Sequence, residues 1–281
     1  MLSARTFRRI AVGLAPAAFF AASAHAQSTP EPLLAQVQGD ANGVDLATGA
    51  LTMSASDVAI GQPGAGGLSY TRVYSGTGWR GKMLGTICTE SGDPSKYIVS
   101  MVASSETFTL TGSLGTGTFA SDINSGASLT YTSANQEFTY TSGDGTAAVF
   151  DATLAGKIDP ANANEGVLVR TTAPNGAVTD YTYNEATVSS TTRARLQSVT
   201  NSFGYQMHMN YADDSPANTT ELNGNWLRVT KVTGFNRTVD YCAATANTCS
   251  YSQSWPDASY TGTNSQIATV TDPIGRVTTY T

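Results

Sequence analysis

The chain has 281 residues, 15 basic against 21 acidic side chains, a formal net charge of −6 and only 13% charged residues. Nucleic acid and anionic lipid surfaces both select a basic face, so this balance excludes them as partners. Few charges and many Thr, Ser, Gly and Tyr describe a chain rich in strands and turns.

Residues 1–26 read as a secretory signal peptide. Arg5, Arg8 and Arg9 make a basic start, Ile10 to Ala22 an apolar run broken by Pro16, and Ala24-His25-Ala26 a small-residue cleavage site. The run is too short for a membrane-spanning helix, which needs about 20 apolar residues. Cleavage removes three arginines and no acid, leaving 255 residues with 12 basic against 21 acidic groups. The expected location is secreted or cell-surface, in the periplasm or outside the cell. No later stretch is apolar for long enough to span a bilayer, and no membrane insertion is expected after cleavage.

Residues 27–41 read as a linker, 42–137 as an N-terminal β leader region and 138–281 as a series of β-hairpins. No 3.6-residue apolar pattern is sustained anywhere in the mature chain, so the expected class is all-β. In the linker and leader, Asp40, Asn42 and Asp45 surround Gly43 with the oxygen ligands calcium uses. The downstream bidentate Glu of a calcium loop is missing, and a turn whose side chains bond their own backbone is the simpler account.

Five segments share one layout: Tyr140 to Phe150, Thr171 to Tyr181, Val199 to Tyr211, Val232 to Tyr241 and Val270 to Tyr280. Each reads as a strand, a turn closed by Gly145, Gly176, Gly204, Asn236 or Gly275, and a second strand ending in an aromatic. Gly, and next Asn, tolerate positive φ, which predicts a left-handed position in every turn. The aromatics are Phe150, Tyr181, Tyr211, Tyr241 and Tyr280, all placed to fall on one strand face. The closing residues are 28 to 39 positions apart, within the range of stacked architectures. A hairpin with one apolar face cannot bury it alone, so antiparallel hairpins pairing edge to edge into a long twisted sheet are expected.

The last segment, "VTDPIGRVTTYT", resembles one unit of the RHS or YD-repeat family through Asp272, Gly275, Arg276 and Tyr280. "RLQSVTNSFGYQMHMNY", from Arg195 to Tyr211, is similar to a looser unit, and Asn42 to Gly76 is similar to the leader that precedes such repeats. The resemblance implies a twisted, partly open β-shell segment that encloses or displays an effector. It also implies a chain truncated at its C-terminus or completed by another chain. The partners implied are other RHS-repeat segments or a toxin or effector domain, acting in cell-surface or intercellular interaction.

Cys242 and Cys249 flank the polar segment Ala243 to Thr248, which could be a hairpin loop stapled across its two strands. Export favours an oxidised pair with Cys88 left over; the alternative is three reduced, buried thiols. His208 is the only histidine after signal cleavage, which excludes a multi-histidine zinc site. Its alternation with Met207 and Met209 places it on a strand face rather than in a triad. Asp272-Pro273 fits an ordinary repeat turn. No catalytic residue, cofactor or metal ligand is expected, and the chain reads as non-enzymatic. Two other readings stand beside this one. A carbohydrate-binding β-domain would line a groove with Trp79, Trp226 and Trp255, and a glycoside hydrolase would need a carboxylate pair in a cleft.

Overall fold

The computed structural model describes residues 52–62, 64–75, 79–81, 85–101, 104–158, 165–263 and 266–280. The expected signal peptide, the linker, the start of the leader and the candidate calcium turn at Asp40, Asn42 and Asp45 lie outside the described residues. Among the described residues no helix is long and apolar enough to cross a membrane.

Nearly all of the regular structure is antiparallel β. Strands β1 (Thr52–Gly61), β2 (Gly67–Ser75) and β3 (Trp79–Gly81) form a separate three-stranded sheet. A meander follows, of β4 (Thr86–Glu90), β5 (Asp93–Ser100), β6 (Ser105–Thr111) and β7 (Thr118–Ser121). Next come β8 (Ser128–Thr132), β9 (Glu137–Thr141), β10 (Ala147–Asp151) and β11 (Gly166–Thr172). The C-terminal part holds β12 (Val178–Val188), β13 (Thr191–Asn201), β14 (Tyr205–Tyr211), a short helix α1 (Thr219–Asn223) and β15 (Val229–Asn236). It closes with β16 (Asp257–Gly262), β17 (Ile267–Thr271) and β18 (Val277–Thr279).

Strands β4 to β18 belong to one branched sheet that does not close into a barrel. The branch point is β11. One of its edges pairs with β10 along its length; the other is shared, Gly166 and Val167 facing β4 and Arg170 to Thr172 facing β12. From β11 to β18 neighbours in sequence are neighbours in the sheet, the arrangement expected of hairpins laid edge to edge.

Two cores result. Ile87, Tyr97, Val99 and Phe108 of the β4–β7 meander pack on Leu129, Phe138, Tyr140, Phe150 and Leu168 of β8–β11. In the second core Val58, Leu68 and Tyr70 of the N-terminal sheet cover Leu196, Val199, Met207, Met209, Val232, Tyr260 and Val270. Strand alternation supplies this inner face, with Met207 and Met209 inward and Gln206 and His208 on the other side. On β13 a bulge leaves Gln197 without an opposite residue on β12, which returns Val199 to the side of Leu196. The sheets approach closely at Gly234 of β15, where a Cβ would stand 3.2 Å from Ile60 and 3.3 Å from Val58.

Four of the tight turns use one device. Gly145, Gly176, Gly204 and Gly275 have φ between +82° and +87°, and each donates its N–H to the carbonyl three residues back, at Ser142, Ala173, Asn201 and Asp272. This is a type I turn followed by a left-handed residue. At Gly275 a Cβ would meet nothing within 4 Å, so any substitution effect there is conformational. Gly275→Val is expected to cost about 1–2 kcal/mol of unfolding free energy, the cost of left-handed backbone for an L-residue. Gly275→Asn should cost less. Equal losses for both in denaturant titrations would refute the conformational account.

The fourth segment departs from this pattern. Asn236 is not among the residues with positive φ; its Oδ1 instead accepts from the backbone N–H and the hydroxyl of Thr238, at 2.9 and 2.8 Å. No strand forms from 237 to 241, and Tyr241 is 72% exposed beneath the guanidinium of Arg237. The chain leaves the sheet over 237–256 and returns as β16, where Tyr260 takes the inward aromatic place expected of Tyr241. Phe150 lies in the first core, Tyr211 and Tyr280 pack against the second, and Tyr181 packs against both. The boundary expected between 137 and 138 falls inside the β8–β9 hairpin, where Tyr131 pairs with Phe138 and their rings lie 4.6 Å apart.

Candidate functional site

The excursion 237–256 folds back over the outward face of β13, β14 and β15 and buries a group of polar side chains there. The backbone carbonyls of Ala244, Thr245 and Asn247 accept from Ser198 Oγ (2.8 Å), Asn184 Nδ2 (2.9 Å) and His208 Nε2 (3.3 Å) respectively. Gln197 Nε2 donates to Met209 O at 2.8 Å. At the far end of the excursion the Phe235 ring meets those of Tyr251 and Trp255 at 5.0 and 6.5 Å. Asp240 ties both ends together, its carboxylate accepting from Trp255 Nε1 at 2.6 Å and from Ser252 N at 2.9 Å. Those two donors hold its carboxyl below the ordinary range. Burial above all pushes the Tyr251 phenol up to about 12.

Cys242 and Cys249 are joined by a disulfide with a Cα separation of 5.6 Å. It closes the excursion on itself instead of stapling two strands, because neither residue lies in a strand. Cys88 lies on β4 outside this disulfide, with β11, β12 and β13 between it and β14.

His208 is fully buried. A carbonyl can only accept, so the bond to Asn247 places the imidazole proton on Nε2. Nδ1 has no hydrogen-bond partner. Burial lowers the pKa of the ring, with the Asn247 carbonyl and Asp214 acting in the opposite direction and Arg195 adding to the lowering. Neither nitrogen is bonded to a hydroxyl or a carboxylate, so the ring is not set up as the general base of a Ser/His/Asp arrangement.

Arg195 lies beside this group, with its NH1 donating to the carbonyls of Asp213 and Trp226 at 2.9 and 3.0 Å. NH2 reaches Asp214 at 2.6 Å and Asn247 Oδ1 at 3.1 Å, and the guanidinium stands over the rings of Tyr211 and Trp226 at 4.1 and 4.6 Å. Trp226 is therefore buried against Arg195 and presents no ring to a sugar. Trp255 is tied to Asp240, and the side chain of Trp79 lies outside the described residues. Among the described tryptophan side chains, Trp226 is buried and so lines no open groove.

A second polar group, which sequence reasoning missed, is enclosed between the two sheets. Asp57 accepts from Arg72 Nε at 2.5 Å and from the Tyr260 hydroxyl at 2.9 Å. Arg72 NH1 donates to the Tyr280 hydroxyl at 2.6 Å. This chain of contacts joins β1 and β2 to β16 and to the residue after β18. Asp272, with the adjoining Pro273, plays a turn role: its Oδ1 accepts from the N–H groups of Ile274 and Arg276, and its Oδ2 from Arg276 Nε.

No protein-family model matches the chain, and no curated protein matches it. Among solved structures it is similar to the N-terminal domain of the effector protein SpvB from Salmonella typhimurium strain LT2. The TM-score is 0.47 at 11% identity, over 82% of this chain and 99% of that one. It is also similar to the Tc holotoxin pore of Photorhabdus luminescens, with a TM-score of 0.45 at 10% identity. That likeness covers 81% of this chain and 16% of the other.

Proposed function

We propose that this chain is an exported, non-enzymatic structural module of the RHS or YD-repeat kind, which caps or builds a β-shell around or beside an effector. The observation that carries the reading is the join between the two sheets. The N-terminal hairpin lies on the inner face of the hairpin series and is tied to its last member through Arg72 and Tyr280, as expected of a leader that closes one end of a curved sheet. The closed disulfide supports export, since such bonds persist in oxidising compartments.

The partner in this reading is another repeat-bearing strand, and the surface that receives it is the outer edge of β18. Among the described residues β18 pairs on one side only, with β17. Its residues are all exposed, Val277 at 63% and the neighbouring turn residue Ile274 at 75%. An uncovered edge recruits strands. Tyr280 N donates to Ala268 O and Asp272 N to Arg276 O, so alternation turns the N–H groups of Val277 and Thr279 outward. Combining Val277→Lys with Thr279→Pro blocks that edge and spares the inward bonds. Light scattering across a concentration series should show self-association, or binding to a repeat-bearing chain, that this double variant loses. A parent chain that stays monomeric at high concentration and binds no such chain would overturn the reading.

A further inference from the structure

We propose that His208, Cys242 and Cys249 form a redox-gated site for one zinc-type divalent cation, closed while the two cysteines are joined and open once a dithiol has reduced them. The proposal is independent of the shell reading and rests on what the excursion 237–256 brings together. One ring nitrogen of His208 and the two Sγ atoms lie within 4.8 Å of one another. They are a donor set suited to zinc, two potential thiolates and an imidazole.

The state of the ring is the second, separate observation. Metal-binding histidines usually donate the other ring N–H to a carbonyl or carboxylate, which fixes the tautomer and directs the free lone pair at the metal. His208 has the tautomer-fixing half of this arrangement, with Nε2–H on the Asn247 carbonyl and a buried Nδ1 that no described group satisfies. A buried acceptor left unpaired is costly, and a cation would relieve that cost.

A thiolate of the dithiol attacks the Cys249 sulfur, the more accessible of the pair, and displaces the Cys242 sulfur as thiolate. The second thiol of the reductant then releases Cys249 and leaves as a cyclic disulfide. In sum the protein disulfide gains two electrons and two protons. Zinc binding then expels two thiol protons and takes the neutral imidazole. Sulfurs each about 2.3 Å from a zinc stand within about 4 Å of each other, which the 5.6 Å Cα separation accommodates by side-chain rotation. Three protein ligands leave one tetrahedral position for water.

The test uses the full chain carrying Cys88→Ser, so that only the paired cysteines can supply thiolate. After reduction by a dithiol and its removal under anaerobic conditions, cobalt(II) is titrated in as a zinc substitute and then displaced by zinc. The expected result is one equivalent bound with thiolate-to-cobalt charge-transfer absorption, and no binding by the oxidised chain. Cys249→Ser should abolish the absorption. His208→Gln should weaken binding by about 100-fold, at the upper end of what even an outer-shell contact is worth. Should reduction loosen the excursion, added zinc should restore the near-ultraviolet circular dichroism of Trp255 and Tyr251. A reduced chain that takes up no cobalt, shows no thiolate band, or binds equally well as His208→Gln overturns the proposal, as does a lost dichroism signal that zinc fails to restore.

Discussion

Asp57→Ala is expected to lower the unfolding free energy by about 3–5 kcal/mol, the usual cost of leaving a buried partner charge uncompensated. Asp57 and Arg72 have side chains 6% and 5% exposed, closed between the N-terminal sheet and the hairpin series. With the carboxylate gone, the guanidinium keeps only the Tyr280 hydroxyl among the partners described above, and Tyr260 loses its acceptor. Tyr70 and Tyr260 lie in the same enclosure, each 5% exposed. Burial foremost drives the pKa of both far above the ordinary tyrosine value. Two controls separate charge from packing. Tyr280→Phe removes one hydrogen bond to a charged group and should cost about 1.5–3 kcal/mol. Asp57→Leu combined with Arg72→Met should recover much of the Asp57→Ala loss, because a well-packed apolar pair can replace a buried ion pair. Denaturant titration gives all three values, and a loss under 1 kcal/mol for Asp57→Ala would mean that water reaches Arg72 in the folded chain.

How much of this was legible in the sequence depends on how local each cause is. The turns at Gly145, Gly176, Gly204 and Gly275 were legible because a left-handed residue leaves a mark at its own position. The inner face of β14 was legible because Met207, His208 and Met209 alternate within one strand. Asn236 misled because its signal is genuine but ambiguous: Asn suits both a left-handed turn and one in which its side chain bonds the backbone two residues on. What decided between them lies well away from it. Phe235 meets Tyr251 and Trp255, and Asp240 holds Ser252 and Trp255, contacts that no repeat pattern encodes. The branch at β11 was hidden for a similar reason, since nothing in "GVLVRTT" reveals that β4 and β12 share one edge. The trio of His208, Cys242 and Cys249 was equally hidden. Its members stand on a strand face and on a loop that crosses it, without the short spacing that marks a zinc motif.

Arg195 tests how far that excursion depends on a single buried cation. Its guanidinium is 2% exposed, whereas Asp214, its ion-pair partner, is 34% exposed, so the two ends of this salt bridge are unequal. Removing the carboxylate leaves an Arg195 that still donates to the carbonyls of Asp213 and Trp226 and to Asn247, and still rests on two aromatic rings. Water can replace part of what Asp214 supplied, and Asp214→Ala should cost about 1 kcal/mol, the upper end for a pair open to solvent. Arg195→Met keeps the packing but removes a donor from four acceptors, two of them the backbone carbonyls of Asp213 and Trp226. At about 1–3 kcal/mol for each buried group left unpaired, the total should be about 3 kcal/mol or more. Arg195→Lys should fall between the two, because an ammonium cannot fork to several acceptors while lying flat on the rings of Tyr211 and Trp226. Asn247 also carries the carbonyl that holds His208, so Arg195→Met should free the segment Ala243 to Thr248 as well as lower global stability. Limited proteolysis would then cut there in Arg195→Met and spare Asp214→Ala. If instead Asp214→Ala proved as damaging as Arg195→Met, the ion pair and not the fork of backbone contacts would be what holds the excursion to the sheet.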